Sequence, residues 1–178
     1  MNPSPGPSSS PGPSSSPGPG PSTGPRHLTL PEVEAIARQA HATQQDKAGR
    51  PYAEHLEAVA NGVEARGGSP EQIAAAWLHD AVEDDALTEQ WLRDAALAQS
   101  TKDIVRALTK HPGESPGAYA ERILATPGAR LVKQADLAHN AHPARLAELD
   151  GPTRTRLTAK YANMHALLGL EPPRRQPG

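Results

Sequence analysis

From residue 30 onward, apolar positions recur every three or four residues, the spacing of helices that each bury one face. Leu30-Pro31 opens the first, with Val33, Ile36, Ala37 and Ala40 on one side and a proline where the first turn tolerates it. Glu54 to Arg66 forms the second, with Leu56, Val59, Ala60 and Val63 as its apolar stripe. Ser69-Pro70-Glu71 is a capped start for a third helix that carries Trp77 and the His79-Asp80 pair. Thr88 caps a helix from Glu89 to Ala98, and Thr101 to Lys110 turns Ile104, Val105 and Leu108 inward. Ser115-Pro116 begins a helix through Tyr119 and Ile123, and Gly128 precedes one through Asp136. Gly151-Pro152 precedes a long last helix through Tyr161 and Leu168. No stretch alternates with period two for long enough to be a strand. The pattern predicts an irregular all-α multi-helix bundle.

The same pattern is missing at both ends. Residues 1–26 are almost wholly Pro, Gly and Ser, with near repeats of Ser-Ser-Ser-Pro-Gly-Pro. Such a segment has nothing apolar to bury, and the expectation is a disordered tail, partly polyproline II. It lacks the basic start and apolar run of a signal peptide. Residues 171–178, with prolines and Arg174-Arg175, read as a frayed end. Residues 27–170 are enough for one core of ordinary domain size. No apolar run approaches the roughly 20 residues that span a bilayer, so no membrane partner is expected.

Charge and composition narrow the function classes. The net charge is −2, so there is no global basic field for nucleic acid. Phe is absent and there are only two Trp and three Tyr, too few for the stacking platforms of single-strand binders. The absence of cysteine removes thiolate nucleophiles and Cys-type zinc sites and is compatible with a cytoplasmic location.

What remains is a polar cluster in an apolar setting, Trp77-Leu78-His79-Asp80-Ala81-Val82-Glu83-Asp84. On a continuous helix, Glu83 falls four residues beyond His79 and Asp84 four beyond Asp80, so all four side chains crowd one region of surface. Burying an imidazole among three carboxylates is costly unless something positive neutralises them. A divalent metal does so, and mixed imidazole and carboxylate donors suit Mn²⁺, Fe²⁺ or Zn²⁺. A solvated acidic helix end is the plainer alternative. His55, at the first turn of the second helix behind the Gly49/Pro51 turn, reads as a cap or a ligand. Asp136 reads as a satisfied acid or a ligand, on a face shared with Lys133 and Asn140.

Four segments in order resemble the HD-domain metal phosphohydrolases, and more narrowly the hydrolase domain of the RelA/SpoT homologues and the small alarmone hydrolases. They are Ala40-His41, Gln44 and Lys47-Ala48-Gly49-Arg50-Pro51-Tyr52-Ala53-Glu54-His55; Leu78-His79-Asp80-Ala81-Val82-Glu83-Asp84 with Thr88; Thr109-Lys110; and Lys133-Gln134-Ala135-Asp136-Leu137-Ala138-His139-Asn140. The resemblance runs from about Val33 to Leu170. It implies an HD-domain bundle and one metal, usually manganese, held by His55, His79, Asp80 and Asp136. It places the catalytic Glu-Asp pair on Glu83 and Asp84, acting on a water whose pKa the metal lowers. Lys47 and Asn140 fall on substrate-contacting positions, and the Tyr161 hydroxyl is a further candidate contact. His41 and His139 match family positions and read as supports behind the metal.

The implied reaction removes the 3′-pyrophosphate of guanosine tetra- or pentaphosphate, giving GDP or GTP and pyrophosphate. The length leaves no room for a synthetase domain, so degradation alone is expected, as housekeeping or as an antidote to a synthetase toxin. Two departures bear on the substrate. Asp46 stands where the family usually has Arg, an expected repulsion beside a polyphosphate. Pro143 stands where the family often has Thr, removing a hydroxyl. They keep open another nucleotide substrate such as NADPH. A non-catalytic nucleotide-binding module and a scaffold acting through a partner of the Pro-rich tail are readings from other classes, and homo-oligomerisation also stays open. A chain beginning at Arg26 should unfold at the same temperature as the full chain and turn over at the same rate, since the removed segment supplies no core contacts. Parallel thermal melts and initial rates check this.

Overall fold

Helix starts are set by local chemistry. The computed structural model describes Met1 and residues 26–170, and the two tails, 1–26 and 171–178, otherwise lie outside the described residues. Arg26 is the exception, since its guanidinium donates to both oxygens of Glu32 at 2.8 and 2.7 Å. Among the described residues the order is α1 (Leu30–Ala40), α2 (Tyr52–Glu64), α3 (Pro70–Leu78), α4 (Glu89–Asp94), α5 (Gln99–Leu108), α6 (Pro116–Ala125), α7 (Ala129–Asn140), α8 (Pro143–Ala147) and α9 (Gly151–Leu167). Five of these, α1, α3, α6, α8 and α9, carry proline in the first turn, where no backbone hydrogen bond is lost. At the start of α3, Ser69 N–H donates to Gln72 Oε1 at 2.8 Å, and Gln72 N–H returns a longer bond to Ser69 Oγ at 3.4 Å. The all-α expectation holds: the described residues contain no strand beyond an isolated bridge between Gln45 and Pro51.

The centre of the bundle is α3. It packs against α1, α2, α5 and α7, and Ala74, Ala75, Ala76, Trp77 and Leu78 are all buried. A helix surrounded on all sides must be apolar all round, and its three consecutive alanines let the neighbours approach closely. Helices α2 and α7 also pack on each other, and there the contact is backbone-close. A Cβ at Gly62 would lie 3.2 Å from Ala135 Cβ. Glycine inside a helix costs about 1 kcal/mol against alanine. Here it lets the helices carrying His55 and Asp136 come together against the end of α3.

Helix α2 starts at Tyr52 and ends at Glu64 rather than running from Glu54 to Arg66, α5 runs Gln99–Leu108 rather than Thr101 to Lys110, and three boundaries differ more widely from the pattern reading. The third helix stops at Leu78, so His79, Asp80, Glu83 and Asp84 do not share a continuous helix. His79 keeps helical dihedrals as the C-cap, and Asp84 N–H still donates to Asp80 O at 2.9 Å. The chain then turns through Asp85 at φ +55, a left-handed conformation that a short polar side chain tolerates. The helix after Thr88 ends at Asp94 rather than Ala98, because the chain turns extended at Ala95 and buries Leu97 instead. Finally, α8 is absent from the pattern. Pro143, a lost hydroxyl by resemblance, sits in its first turn, and His142 caps it by accepting from Ala144 N–H at 3.3 Å.

Candidate metal centre

The first turn of α2, the end of α3 and the middle of α7 deliver His55, His79, Asp80 and Asp136 to one point. The best-defined donor is His79, which is 2% exposed. Its Nδ1 sits 2.8 Å from the Ala76 carbonyl, which can only accept, so Nδ1 carries a proton and Nε2 is the nitrogen left to take a second proton or an ion. That Nε2 is buried without a hydrogen bond, although Asp80 Oδ2 is 3.0 Å away. The contact is therefore electrostatic: the ring nitrogen does not aim at that oxygen. A buried ring nitrogen without a hydrogen bond, beside two carboxylates, is an arrangement that a metal ion would complete.

His55 reaches the same point through Nε2, 3.4 Å from Asp136 Oδ1 and 3.7 Å from Asp80 Oδ2. Its Nδ1 lies 2.8 Å from His139 Nδ1, with the two rings stacked. His139 is pushed down to about 4 by burial and by the charges of His55 and Arg145. His139 is thus the neutral acceptor, and His55 donates from Nδ1. The donor atoms of His55, His79 and Asp80 all lie within 4.8 Å of one another. Asp136 Oδ1 adds itself at 3.8 Å from His79 Nε2.

Asp136 is the most heavily held of the four. Lys133 Nζ donates to Oδ2 at 2.7 Å and Asn140 Nδ2 to Oδ1 at 2.5 Å, one turn before and one turn after it on α7. Burial works against its charge, and Lys133 and the two histidines overcome that, holding it well below the carboxylate range. Burial likewise works against protonation of His55 and His79, and the facing carboxylates overcome it, raising both. The cluster therefore takes up positive charge. Protons on the imidazoles can supply it, and a divalent cation at the same point supplies it while releasing them. The donor set fits such an ion.

The flanking pair is anchored by neutral donors. Glu83 Oε2 accepts from the backbone N–H of Lys110 at 2.8 Å, and Asp84 Oδ2 accepts from Gln44 Nε2 at 2.7 Å. Gln44 is in turn paired through Oε1 with Nδ1 of the buried His41 at 2.5 Å. Tyr52 donates its hydroxyl to Asp80 Oδ2 at 2.5 Å. Its own ionisation is pushed upward by burial and by Asp80, Asp84 and Asp136, so it remains a donor. The roles of Gln44 and Tyr52 escape a reading of the sequence, although both stand in the motif that contains His55. The signal for Tyr52 is its position three residues before His55, on the same helix face.

Of these groups Gln44, Tyr52, His55, Asp80, Glu83, Asp84, Lys133 and Asp136 line a cavity of about 460 Å³, whose walls also hold Lys47, Asn140 and Tyr161. Asn140, assigned to substrate by resemblance, has its amide nitrogen committed to Asp136. Cations crowd the walls: Lys160 is lowered by burial and by Lys133, Lys110 and Lys47. The expected repulsion from Asp46 is not there. Its Oδ1 accepts from Ala48 and Arg50 N–H at 2.9 and 3.0 Å, and its Oδ2 pairs with Arg145 at 2.9 Å. The acid closes a turn and is neutralised by a residue of α8.

Residues 34–117 match the family model described as an HD domain. Over that stretch the chain is similar to the HD-domain family. Beyond residue 117 the resemblance continues. Over 151 residues the chain is 32% identical to a guanosine-3′,5′-bis(diphosphate) 3′-pyrophosphohydrolase of Haemophilus influenzae, covering 76% of this chain and 22% of that protein. A protein of the same name from Vibrio cholerae is 36% identical over 90 residues, with 47% and 13% covered. One described as a probable such enzyme in Synechocystis sp. is 34% identical over 84 residues, with 47% and 11% covered. The chain thus resembles HD-type hydrolases of the RelA/SpoT kind, and it spans at most 22% of the length of these curated relatives. No helix among the described residues is long and apolar enough to cross a membrane.

The buried Lys133–Asp136 pair yields a stability prediction. Lys133→Met should cost about 3–5 kcal/mol in metal-free urea denaturation, because it leaves Asp136 buried without its cation. Added Mn²⁺ should restore part of the loss, and an unchanged metal-free midpoint would mean that the imidazolium charges suffice.

Proposed function

We propose that this HD domain is a manganese-dependent phosphohydrolase that removes the 3′-pyrophosphate of guanosine tetra- or pentaphosphate. One observation carries the reading: the unpartnered Nε2 of the buried His79 lies beside Asp80 and Asp136, which with His55 line a cavity whose walls also carry lysines. Those four residues would hold the ion. A divalent cation, when bound, acidifies water and screens charge on the phosphate. The protein's own groups do the rest.

Glu83 and Asp84 each use one oxygen for an anchoring hydrogen bond, to Lys110 N–H and to Gln44. Their other oxygens are left to orient a water and accept its proton. The water oxygen bonds to the phosphorus attached to O3′, the P–O3′ bond breaks, and O3′ takes up a proton. Pyrophosphate leaves, and GDP or GTP remains. Tyr52 keeps Asp80 in place by donating to Oδ2, as Lys133 and Asn140 do for Asp136. Lys47 and Tyr161 line the wall where the nucleotide would lie. Names of the relatives from H. influenzae and V. cholerae support the choice of substrate.

The test is product analysis of the purified protein with Mn²⁺ against guanosine and pyridine nucleotides. Guanosine tetraphosphate should give GDP and pyrophosphate in equal amounts, and inertness towards it while NADPH is dephosphorylated would overturn the assignment. His79→Ala should lose both bound Mn²⁺ and turnover. Glu83→Gln should retain Mn²⁺ while kcat falls by roughly two to four orders of magnitude, the range for lost acid–base help. A change confined to KM would move Glu83 to substrate binding.

A further inference from the structure

The cavity wall holds one arginine, Arg145, whose setting differs from that of the lysines around it. It projects from α8, and its side chain is only 19% exposed. Asp46 is the acid within ion-pair distance of it among the described residues, at 2.9 Å, and the Asp46 side chain is 6% exposed. Asp46 cannot swing, because its other oxygen is fixed by the N–H groups of Ala48 and Arg50. A second ion pair, Arg50 to Glu148 at 2.5 Å, ties the same turn to the residue after α8. A guanidinium has five N–H donors in a rigid fork, and one carboxylate oxygen engages few of them. The arginine is thus held in one orientation at the cavity surface with donors to spare.

We propose that Arg145, positioned by Asp46, is a phosphate-binding residue of the cavity, recognising a phosphate group of a nucleoside polyphosphate by directed hydrogen bonds. The ion pair is close to neutral, so its contribution is geometry at short range. Long-range attraction falls to Lys47, Lys110 and Lys160 on the same walls. Fork-to-phosphate pairing is the contact for which arginine is suited and lysine is not. The ligand class rests on the proposed function, but the subsite itself can be tested without turnover.

The experiment is titration calorimetry of the full Mn²⁺-loaded chain with GDP and, separately, with guanosine. Arg145→Gln should weaken GDP at least tenfold and change guanosine less than twofold, with Arg145→Lys in between. Asp46→Asn should weaken GDP several-fold in the wild-type background and have no further effect in Arg145→Gln, since Asp46 acts through Arg145. Thermal melts identify any variant that fails to fold; if Arg145→Gln does so, the conservative Arg145→Lys and Asp46→Asn decide. Equal GDP affinities in wild type and variants would overturn the proposal. So would equal losses for GDP and guanosine, or a wild type that binds GDP no better than guanosine. If these binding results hold while guanosine tetraphosphate is not cleaved, the subsite stands and the proposed reaction fails. Cleavage with unaltered GDP binding would sink the subsite and leave the proposed reaction standing.

Discussion

Two carboxylates, Asp80 and Asp136, face the same two imidazoles at the meeting point of three helices, and the protein interior gives them little water. Each carboxylate disfavours the charge on the other, the more so where water is scarce. The fold answers with cations and fixed dipoles. Lys133 sits on Asp136, Tyr52 on Asp80, and the imidazoles between them draw in positive charge. Much else in the molecule serves to keep those groups in place. Gly62 lets α2 approach α7, the alanines of α3 let its end reach both, and stacked His139 fixes which nitrogen of His55 carries the proton.

Neutralisation is shared unequally, and the inequality has a chemical consequence. Asp136 has a lysine and an amide of its own, so its charge is largely met before any ion arrives. Asp80 has only a phenol and the imidazoles. The two outer acids, Glu83 and Asp84, are held by a backbone N–H and by an amide, donors that orient a carboxylate without cancelling it. Inner acids short of cations beside outer acids held by neutral donors are the arrangement that the proposed reaction asks for, an ion held at one pair and a water oriented at the other. The difference between the two pairs lies in their hydrogen-bond donors, since all four are carboxylates close together in the fold.

How much of this is legible in the sequence depends on distance along the chain. The helices are readable because their period and their caps are local: proline in five first turns and Ser69 before α3 need no tertiary information. Lys133, Asp136 and Asn140 fall on one face by spacing alone, and the hydrogen bonds have those partners. The end of α3 at Leu78 is not readable, because the segment after it is held from elsewhere. Glu83 is held by residue 110 and Asp84 by residue 44. Helix α8 is hidden by its length, five residues being too few to display a period.

Asp46 shows why the sign of a charge is a poor guide before its partner is known. Beside Lys47 it reads as an acid at the mouth of an anion site, and simple Coulomb reasoning makes it a defect. Its partner is 99 positions away, on the helix that the pattern does not reveal. Once α8 is in place, the same acid closes the 46–50 turn and fixes an arginine at the cavity wall, while Arg50 and Glu148 fasten the turn to the end of that helix. The floor of the cavity is therefore set by helix packing in the core, whereas its rim is set by two ion pairs between a turn and a short helix. A substitution in the core moves the candidate metal ligands. A substitution in the rim leaves them in place and alters what they can be offered.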